Sequence, residues 1–195
     1  ERDKILFGNA FLNVNISGKK FKLHYQAFSQ VNFAVGKAMY EFIRKHISEN
    51  TNIIDAYSGA GTTGIFVSDL AKKVFLIENN SFACADVSEN IFLNNVKNTE
   101  VIEGNVEHKI SEVLENHRID VIIFDPPRKG LEKSIIKKVS QRKIKKIIYA
   151  GCDPTSQHRD VNLFLKNGYE IKVFQPFDMF PQTFHIENVI VLELS

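Results

Sequence analysis

The sequence predicts an α/β fold: a doubly wound, mostly parallel sheet of seven strands with an antiparallel last strand. The length of 195 residues suits one such domain. From residue 52 onward, short apolar runs alternate with amphipathic stretches, which is typical of parallel strands joined by helices. Only an aromatic loop separates the last two apolar runs, so these two strands should pair antiparallel.

Each element is predicted from hydrophobic periodicity and turn residues. A small β-hairpin is expected over residues 4–25, where apolar residues beginning with Ile5 alternate loosely, and a helix follows over about 33–49. The strands of the sheet are expected at 52–57, 73–78, 99–104, 121–125, 146–151, 169–175 and 187–194. The helices between the parallel strands are expected at 62–71, 81–96, 107–117 and 130–142.

The composition is that of an ordinary globular protein, with 44% hydrophobic and 25% charged residues. A net charge of +2 is a weak indication of a polyanionic partner. No apolar run is long enough to span a membrane, and no secretory leader is recognisable. Two cysteines form neither a disulfide framework nor a four-ligand zinc site. We therefore expect a cytoplasmic, monomeric protein with no metal and no membrane partner.

The most informative stretch is Gly151-Cys152-Asp153-Pro154, which follows a buried strand and precedes a helix with Thr155 and Ser156 as N-cap candidates. Cys152 is thus predicted at the edge where α/β sheets bind ligands. A helix N-terminus is expected to lower the pKa of the thiol and favour a nucleophile. The alternative is a small core cysteine, which is how Cys84 is interpreted from its position on an apolar helix face.

A glycine-rich loop after the first parallel strand has the spacing G-x-G-x-x-G, and Gly59 would let the backbone approach a ligand closely. Glu78 ends the second strand, where a carboxylate can accept both hydroxyls of a ribose. Asn105 ends the third strand, where it either bonds an adenine or only fills a loop. These residues fit S-adenosylmethionine and NAD equally, so an NAD(P)-binding oxidoreductase is an alternative.

The fourth strand ends in Asp125-Pro126-Pro127, a rigid turn that holds a carboxylate and carbonyls towards a planar, amide-like edge. This turn suits nucleobase binding and has no evident use in hydride transfer. Before the last strand, Phe180 and His185 lie on an aromatic loop suited to stacking against an extruded base. Glu187 enters an apolar strand, where burial would raise its pKa towards that of a general base. A solvent-facing acid on an edge strand is the other reading.

Five motifs stand in the order of the RNA uracil-C5 methyltransferases of the TrmA/RumA type, and the chain resembles that family over about residues 25–195. The motifs are F-x-Q-x-N at 28–32, D-x-x-x-G-x-G at 55–61, D-P-P-R-x-G at 125–130, C-[ND]-P-x-T-x-x-R-D at 152–160 and D-M-F-P-x-T-x-H-x-E at 178–187. The chain departs from these family motifs only modestly. Ser29 stands where an aromatic residue is frequent, Gly151 stands where Ser is usual, and Ser156 stands in place of Thr. The resemblance implies a class I methyltransferase fold and S-adenosylmethionine as cofactor.

The resemblance also implies roles for single residues. Cys152 would be the nucleophile and Glu187 the general base. Cofactor contacts would come from Gln30, Tyr57, Gly59, Thr62, Glu78, Asn105 and Asp125, with Thr62 standing where many members carry Asn. Asp125 would also approach the uracil. Independently of the resemblance, Arg159 is expected about one helical turn past Cys152, where it and Arg128 would each stabilise the thiolate or an RNA phosphate. An ordinary arginine on the protein surface is the open alternative for both.

We therefore expect an enzyme that makes 5-methyluridine in tRNA or ribosomal RNA through a covalent adduct between Cys152 and C6 of the base. Cytosine C5 methylation is the nearest competing reaction, and a catalytically inactive RNA-binding module is a further alternative. Residues 1–25 are expected to be a hairpin remnant of a preceding subdomain, and 26–195 the catalytic domain. Family members usually carry N-terminal segments absent here, so this chain is expected to bind the cofactor but to bind RNA poorly.

Overall fold

The computed structural model describes residues 7–195, so residues 1–6 of the predicted hairpin, including Ile5, lie outside the described residues. The strands are β1 Phe11–Ile16, β2 Lys19–His24, β3 Thr51–Ala56, β4 Ala71–Glu78, β5 Thr99–Glu103, β6 Val121–Phe124, β7 Lys146–Gly151, β8 Tyr169–Phe177 and β9 Glu187–Leu194. The helices are α1 Phe33–Lys45, α2 Thr62–Val67, α3 Ser81–Leu93, α4 Val106–Asn116, α5 Lys133–Gln141 and α6 Pro154–Lys166.

The main sheet has seven strands in the order β5-β4-β3-β6-β7-β9-β8. β3 to β7 run parallel, and β9 runs antiparallel between β7 and β8. The predicted fold class, including the antiparallel last strand and the separate N-terminal hairpin, is confirmed. Because β9 runs in the opposite direction, its first residue lies at the same sheet edge as the last residues of the parallel strands.

Helices cover both faces of the sheet, as the sequence predicts. Alternate residues of the central strands point to opposite faces, so each face has an apolar surface that the helices bury. Ile53 packs with Met39 and Val87 on the face covered by α1, α2 and α3. Ile54 packs with Ile110 on the face covered by α4, α5 and α6. None of the helices in the described part of the chain is both long and apolar enough to cross a bilayer.

The hairpin is held to the sheet domain by a row of polar side chains on α3. Asp86, Asn90 and Asn94 lie one helical turn apart and bond to the backbone of alternate residues in β2. Asn90 Oδ1 accepts a hydrogen bond from Lys22 N at 2.7 Å, and Asn90 Nδ2 donates to Lys22 O at 3.1 Å. The helix side chains therefore take the place of a neighbouring strand.

Several element ends differ from the prediction because local polar contacts close the helices. α2 ends at Val67 rather than near residue 71, since Ser68 Oγ donates to Ile65 O at 2.8 Å and β4 already begins at Ala71. α1 ends at Lys45 and α3 at Leu93, before the predicted positions 49 and 96. α5 begins at Lys133, three residues later than predicted.

The predicted N-cap of α6 is wrong. Asp153, not Thr155 or Ser156, caps this helix, since its carboxylate accepts a hydrogen bond from Ser156 N at 2.8 Å. Pro154 occupies the first helical turn, where a missing amide proton costs nothing. The helix consequently starts immediately after Cys152 and Asp153.

Candidate active site

A pocket of about 710 Å³ opens at the carboxyl edge of the parallel strands. The ends of β4 and β9 and the segments that follow β2, β3, β5, β6, β7 and β8 surround it. The lining residues are Phe28, Gln30, Tyr57, Gly59, Glu78, Asn79, Asn105, Glu107, His108, Asp125, Pro126, Pro127, Arg128, Lys129, Glu132, Cys152, Phe180 and Glu187. We refer to the part around Gly59, Glu78 and Asn105 as the nucleotide end and the part around Cys152, Glu187 and Arg128 as the thiol end.

The glycine-rich loop of the nucleotide end depends on close packing against β3 and β4. Gly64 N donates to Asp55 Oδ2 at 2.8 Å, and a Cβ at Gly64 would lie 2.6 Å from Leu76 Cδ2. Gly59 has φ +53°, a conformation that glycine adopts without strain. Glycine at these two positions therefore lets the loop lie close to the sheet without strain or steric overlap.

Glu78 is held rigidly by three backbone amides. Its Oε2 accepts from Gly59 N at 2.8 Å, and its Oε1 accepts from Asn79 N at 2.9 Å and Asn80 N at 2.8 Å. Asn105 lies beside this carboxylate, since its Oδ1 accepts from Asn79 Nδ2 at 3.1 Å. The two predicted ribose and adenine residues thus belong to one connected set of hydrogen bonds.

Two further polar side chains border the nucleotide end. Tyr57 lies in the left-handed region, with φ +62°, and its hydroxyl donates to Glu107 Oε1 at 3.1 Å. Gln30 is 6% exposed, and its Oε1 has no hydrogen-bond partner among residues 7–195. A buried acceptor without a partner is costly, so Gln30 is suited to receive a donor from a ligand.

The sheet register brings Cys152 and Glu187 together. Gly151 of β7 pairs with Asn188 of β9 at the end of the antiparallel ladder. Cys152 follows Gly151 and Glu187 precedes Asn188, so these two residues are neighbours beyond the last pair, and both line the pocket. Gln157 supports this arrangement from α6, because its buried Nε2 donates to Asn188 O at 3.0 Å. A Cβ at Gly151 would lie 2.9 Å from Gln157 Nε2, so glycine at this position leaves room for the Gln157 side chain.

The thiol end concentrates acidic side chains whose ionisation is disfavoured. Burial, reinforced by Glu187 and Asp55, raises the pKa of Asp125 to about 8. Burial likewise raises the pKa of Asp55 to about 7 and moves the pKa of Glu187 upward, with Arg128 opposing the shift at Glu187. Glu187 is 4% exposed and lies on an interior strand, so the reading of a solvent-facing edge acid is wrong.

The expected lowering of the thiol pKa is also wrong. Burial raises the pKa of Cys152, and the nearby carboxyls of Glu187 and Asp125 raise it further, whereas Arg128 acts in the opposite direction. The α6 N-terminus is already bonded to the Asp153 side chain, which reduces its availability for the thiol. Cys152 is therefore a thiol at rest, and Arg128 is the cation that favours its ionised form.

Most of the predicted site residues line this pocket, but three do not. Thr62 borders a small adjoining cavity of about 30 Å³. The His185 ring lies on the aromatic loop outside the lining, with its centroid 6.0 Å from that of Phe180. Arg159 points towards the backbone of the 126–131 loop instead of the pocket. Cys84 is buried, as expected of a core cysteine.

Several lining residues were not predicted as site residues from the sequence, for example Phe28, Glu107 and Glu132. Phe28 opens the F-x-Q-x-N motif and was recognisable there. Glu107 follows Asn105 by two residues, so the rule that ligands bind at the carboxyl ends of strands also indicates this residue. Glu132 carries no such signal because it lies beyond a loop whose path depends on tertiary contacts.

Known proteins are similar to this chain in sequence. The family profile described as tRNA (Uracil-5-)-methyltransferase matches residues 1–195. An uncharacterized RNA methyltransferase of Fusobacterium nucleatum is 40% identical over 196 residues, covering 99% of this chain and 42% of that protein. The chain thus spans less than half the length of such relatives.

Solved structures share the fold. The crystal structure of Pyrococcus abyssi tRNA (uracil-54, C5)-methyltransferase in complex with S-adenosyl-L-homocysteine has a TM-score of 0.84 and 28% sequence identity, covering 95% of this chain and 45% of that one. A putative SAM-dependent methyltransferase from Streptococcus mutans has a TM-score of 0.78 at 11% identity, covering 96% of this chain and 56% of that one, which shows the fold alone.

Proposed function

The chain belongs to the tRNA (uracil-5-)-methyltransferase family, and from this premise we propose that it transfers a methyl group from S-adenosylmethionine to C5 of a uridine in RNA. The observation that carries the proposal is the juxtaposition of Cys152 and Glu187 across the β7–β9 ladder, inside a pocket whose other end suits a nucleoside. The RNA is expected to be a tRNA or a ribosomal RNA.

The charge of the pocket supports this cofactor. Five carboxyl side chains line it, against two basic side chains, and Asp125 holds a proton only because its pKa is raised. Such a pocket attracts the sulfonium and ammonium groups of S-adenosylmethionine, whereas the pyrophosphate of NAD would be repelled. The buried Gln30 Oε1 offers an acceptor to the ammonium group. These features favour a methyltransferase over an oxidoreductase.

Individual residues are assigned to the two ends accordingly. Glu78 is suited to accept both ribose hydroxyls, Asn105 is suited to the adenine edge, and the Gly59 backbone allows close approach of the ligand. Asp125 lies between the two ends, where it can bind cofactor on one side and a uracil amide edge on the other. When bound, S-adenosylmethionine supplies an electrophilic methyl group.

C5 of uracil is too weak a nucleophile to accept a methyl group unaided. In the proposed reaction the Cys152 thiolate forms a bond to C6, and the electron pair of the C5–C6 double bond shifts to make C5 nucleophilic. Arg128 favours the thiolate at this stage because it is the cation that lowers the thiol pKa. Placement of both reactants in one pocket contributes on the order of 7–11 kcal/mol to lowering the barrier.

Glu187 completes the cycle as a general base. After C5 is methylated, its carboxylate removes the C5 proton, the double bond re-forms, and the bond between sulfur and C6 breaks to return the thiolate. Burial raises the pKa of Glu187 and so makes it a stronger base than an exposed glutamate. Retention of both groups in one pocket also disfavours an inactive RNA-binding module.

The proposal is tested by methyl transfer from labelled S-adenosylmethionine to total RNA from cells that lack 5-methyluridine, followed by mapping of the labelled nucleotide. We expect label in 5-methyluridine with the wild-type and Cys84→Ala proteins and none with Cys152→Ala. Label in 5-methylcytidine would mean that the methylated base is cytosine rather than uracil. Full activity of Cys152→Ala would contradict the proposed mechanism.

A further inference from the structure

Two adjacent residues of α6 bind the loop that follows β6. Arg159 Nη2 donates to Lys129 O at 2.8 Å and, more weakly, to Leu131 O at 3.4 Å. Asp160 Oδ2 accepts from Leu131 N at 2.7 Å. The 126–131 loop is therefore fixed by its backbone, through contacts that do not depend on its side chains.

The two α6 residues also support each other. Asp160 is 0% exposed, and its Oδ1 accepts from Arg159 Nε at 2.8 Å, while its Oδ2 also accepts from the Tyr149 hydroxyl at 2.9 Å. The buried carboxylate is thus fully bonded, as a buried charge must be.

Gly130 leaves room for this contact. It has φ +74°, and a Cβ there would lie within contact distance of both Asp160 and Arg159. Gly130 N also donates to Pro127 O at 2.8 Å, which closes a turn around Arg128 and Lys129. The glycine of the D-P-P-R-x-G motif and the Arg-Asp pair of the cysteine motif consequently meet in one contact.

This contact fixes the loop from which Arg128 enters the pocket. We propose that Arg159 and Asp160 are positioning residues, which hold the 126–131 loop so that Arg128 faces the Cys152 thiol and the Glu187 carboxyl. Arg159 itself lines no part of the pocket, so it acts through the loop.

The groups that face Cys152 come from three elements. Glu187 begins β9, Asp125 follows β6, and Arg128 lies on the loop that α6 holds, so that one cation opposes two acids. Displacement of Arg128 by a small distance leaves the two acids unopposed. The thiol should then become harder to ionise, although no residue in contact with it has changed.

The test measures alkylation of Cys152 by iodoacetamide as a function of pH, in a Cys84→Ala background so that one thiol reacts. We expect Arg159→Gln to slow alkylation at pH 8 by about three- to tenfold and to shift the pH profile upward, because an opposing charge is displaced. Glutamine keeps a side-chain N–H donor for the buried Asp160 carboxylate, and the melting temperature of the variant checks that it folds. In an Arg128→Gln background, Arg159→Gln should have no further effect.

Tyr149→Phe is the matched control, because it removes a hydrogen bond to the same Asp160 carboxylate and leaves both loop contacts in place. It should lower the melting temperature without moving the thiol profile. A wild-type profile for Arg159→Gln, or an equal shift with and without Arg128, would overturn the proposal. The role of Arg159 and Asp160 in catalysis rests on the proposed function. The alkylation measurement uses neither RNA nor cofactor, so the positioning proposal and the proposed function can fail independently.

Discussion

The two ends of the pocket are built on opposite principles. At the nucleotide end, Glu78 accepts hydrogen bonds from three backbone amides and is fixed before any ligand arrives. At the thiol end, Asp125 and Glu187 lie close enough for each to disfavour ionisation of its neighbours, and Arg128 only partly compensates. The Glu78 carboxylate is therefore fully hydrogen-bonded, whereas the thiol end holds acids whose ionisation a cationic ligand would favour.

This difference separates binding from chemistry. Preformed hydrogen bonds at the nucleotide end should determine affinity for the cofactor, and charges at the thiol end should determine the rate of the chemical steps. Substitutions at the two ends are therefore expected to change different kinetic constants.

Removal of the nucleophile should have the largest effect. Cys152→Ala is expected to reduce methyl transfer by about 10³-fold or more, since no other group can form the bond to C6. Cofactor affinity, measured by calorimetry, should stay within about twofold of wild type if the two ends act separately. Cys84→Ala is the control and should retain activity, because Cys84 is buried among core residues.

Glu187→Gln should reduce kcat by about 10²–10⁴-fold, the usual contribution of a general base. The covalent adduct should accumulate, since proton removal from C5 follows its formation. Glu193→Gln tests the same substitution further along β9, where Glu193 pairs with Lys146, and should leave kcat unchanged. An equal loss in both variants would mean that the strand, rather than the base, was affected.

Glu78→Gln should weaken cofactor binding by about 10–100-fold, because hydrogen bonds to a charged group contribute about 1.5–3 kcal/mol. KM for S-adenosylmethionine should rise while kcat changes little. Glu103→Gln is the comparison, since Glu103 ends the neighbouring strand opposite Glu78 but lies outside the pocket lining. A large fall in kcat for Glu78→Gln would contradict the separation of the two ends.

The smallest predicted effect is on stability. Because the pKa of Asp125 rises to about 8 in the folded protein, the folded state binds more protons than the unfolded chain between about pH 4 and pH 8, and stability falls as the pH rises through that range. Asp125→Asn should remove part of this fall.

At pH 8 we expect the variant to melt a few degrees higher than wild type, since about 1 kcal/mol corresponds to about 2–4 °C in a chain of this size. Asp178→Asn, on the exposed aromatic loop, should leave the pH profile of the melting temperature unchanged. A lower melting temperature for Asp125→Asn than for wild type at pH 8 would contradict this prediction, because it would mean that the Asp125 carboxyl group stabilises the folded state at that pH.

The sequence predicted the sheet because its strands are buried on both faces and therefore appear as continuous apolar runs. The antiparallel pairing followed from the short connection before Glu187. The end of α2 and the cap of α6 were missed because they depend on single side-chain contacts, those of Ser68 and Asp153. Periodicity carries no information about such contacts.

The candidate site was predictable where residues follow strand ends, as Glu78 and Cys152 do. It was not predictable where function depends on charges brought together by the tertiary fold. The raised pKa of Cys152 results from Glu187 and Asp125, which lie far from it in sequence. For Arg159 the sequence predicts either a contact with the thiolate or an RNA phosphate or an ordinary surface arginine, and neither includes the bond that its side chain makes to the loop backbone.

The most direct test of the central claim is the identification of the residue that becomes bound to the substrate. The protein is incubated with S-adenosylmethionine and RNA containing 5-fluorouridine, whose C5 fluorine cannot be removed as a proton, and the adduct is digested and mapped by mass spectrometry. We predict a nucleotide attached to the sulfur of Cys152, and no adduct in Cys152→Ala. A methylated product without any adduct, or an adduct at another residue, would contradict the account.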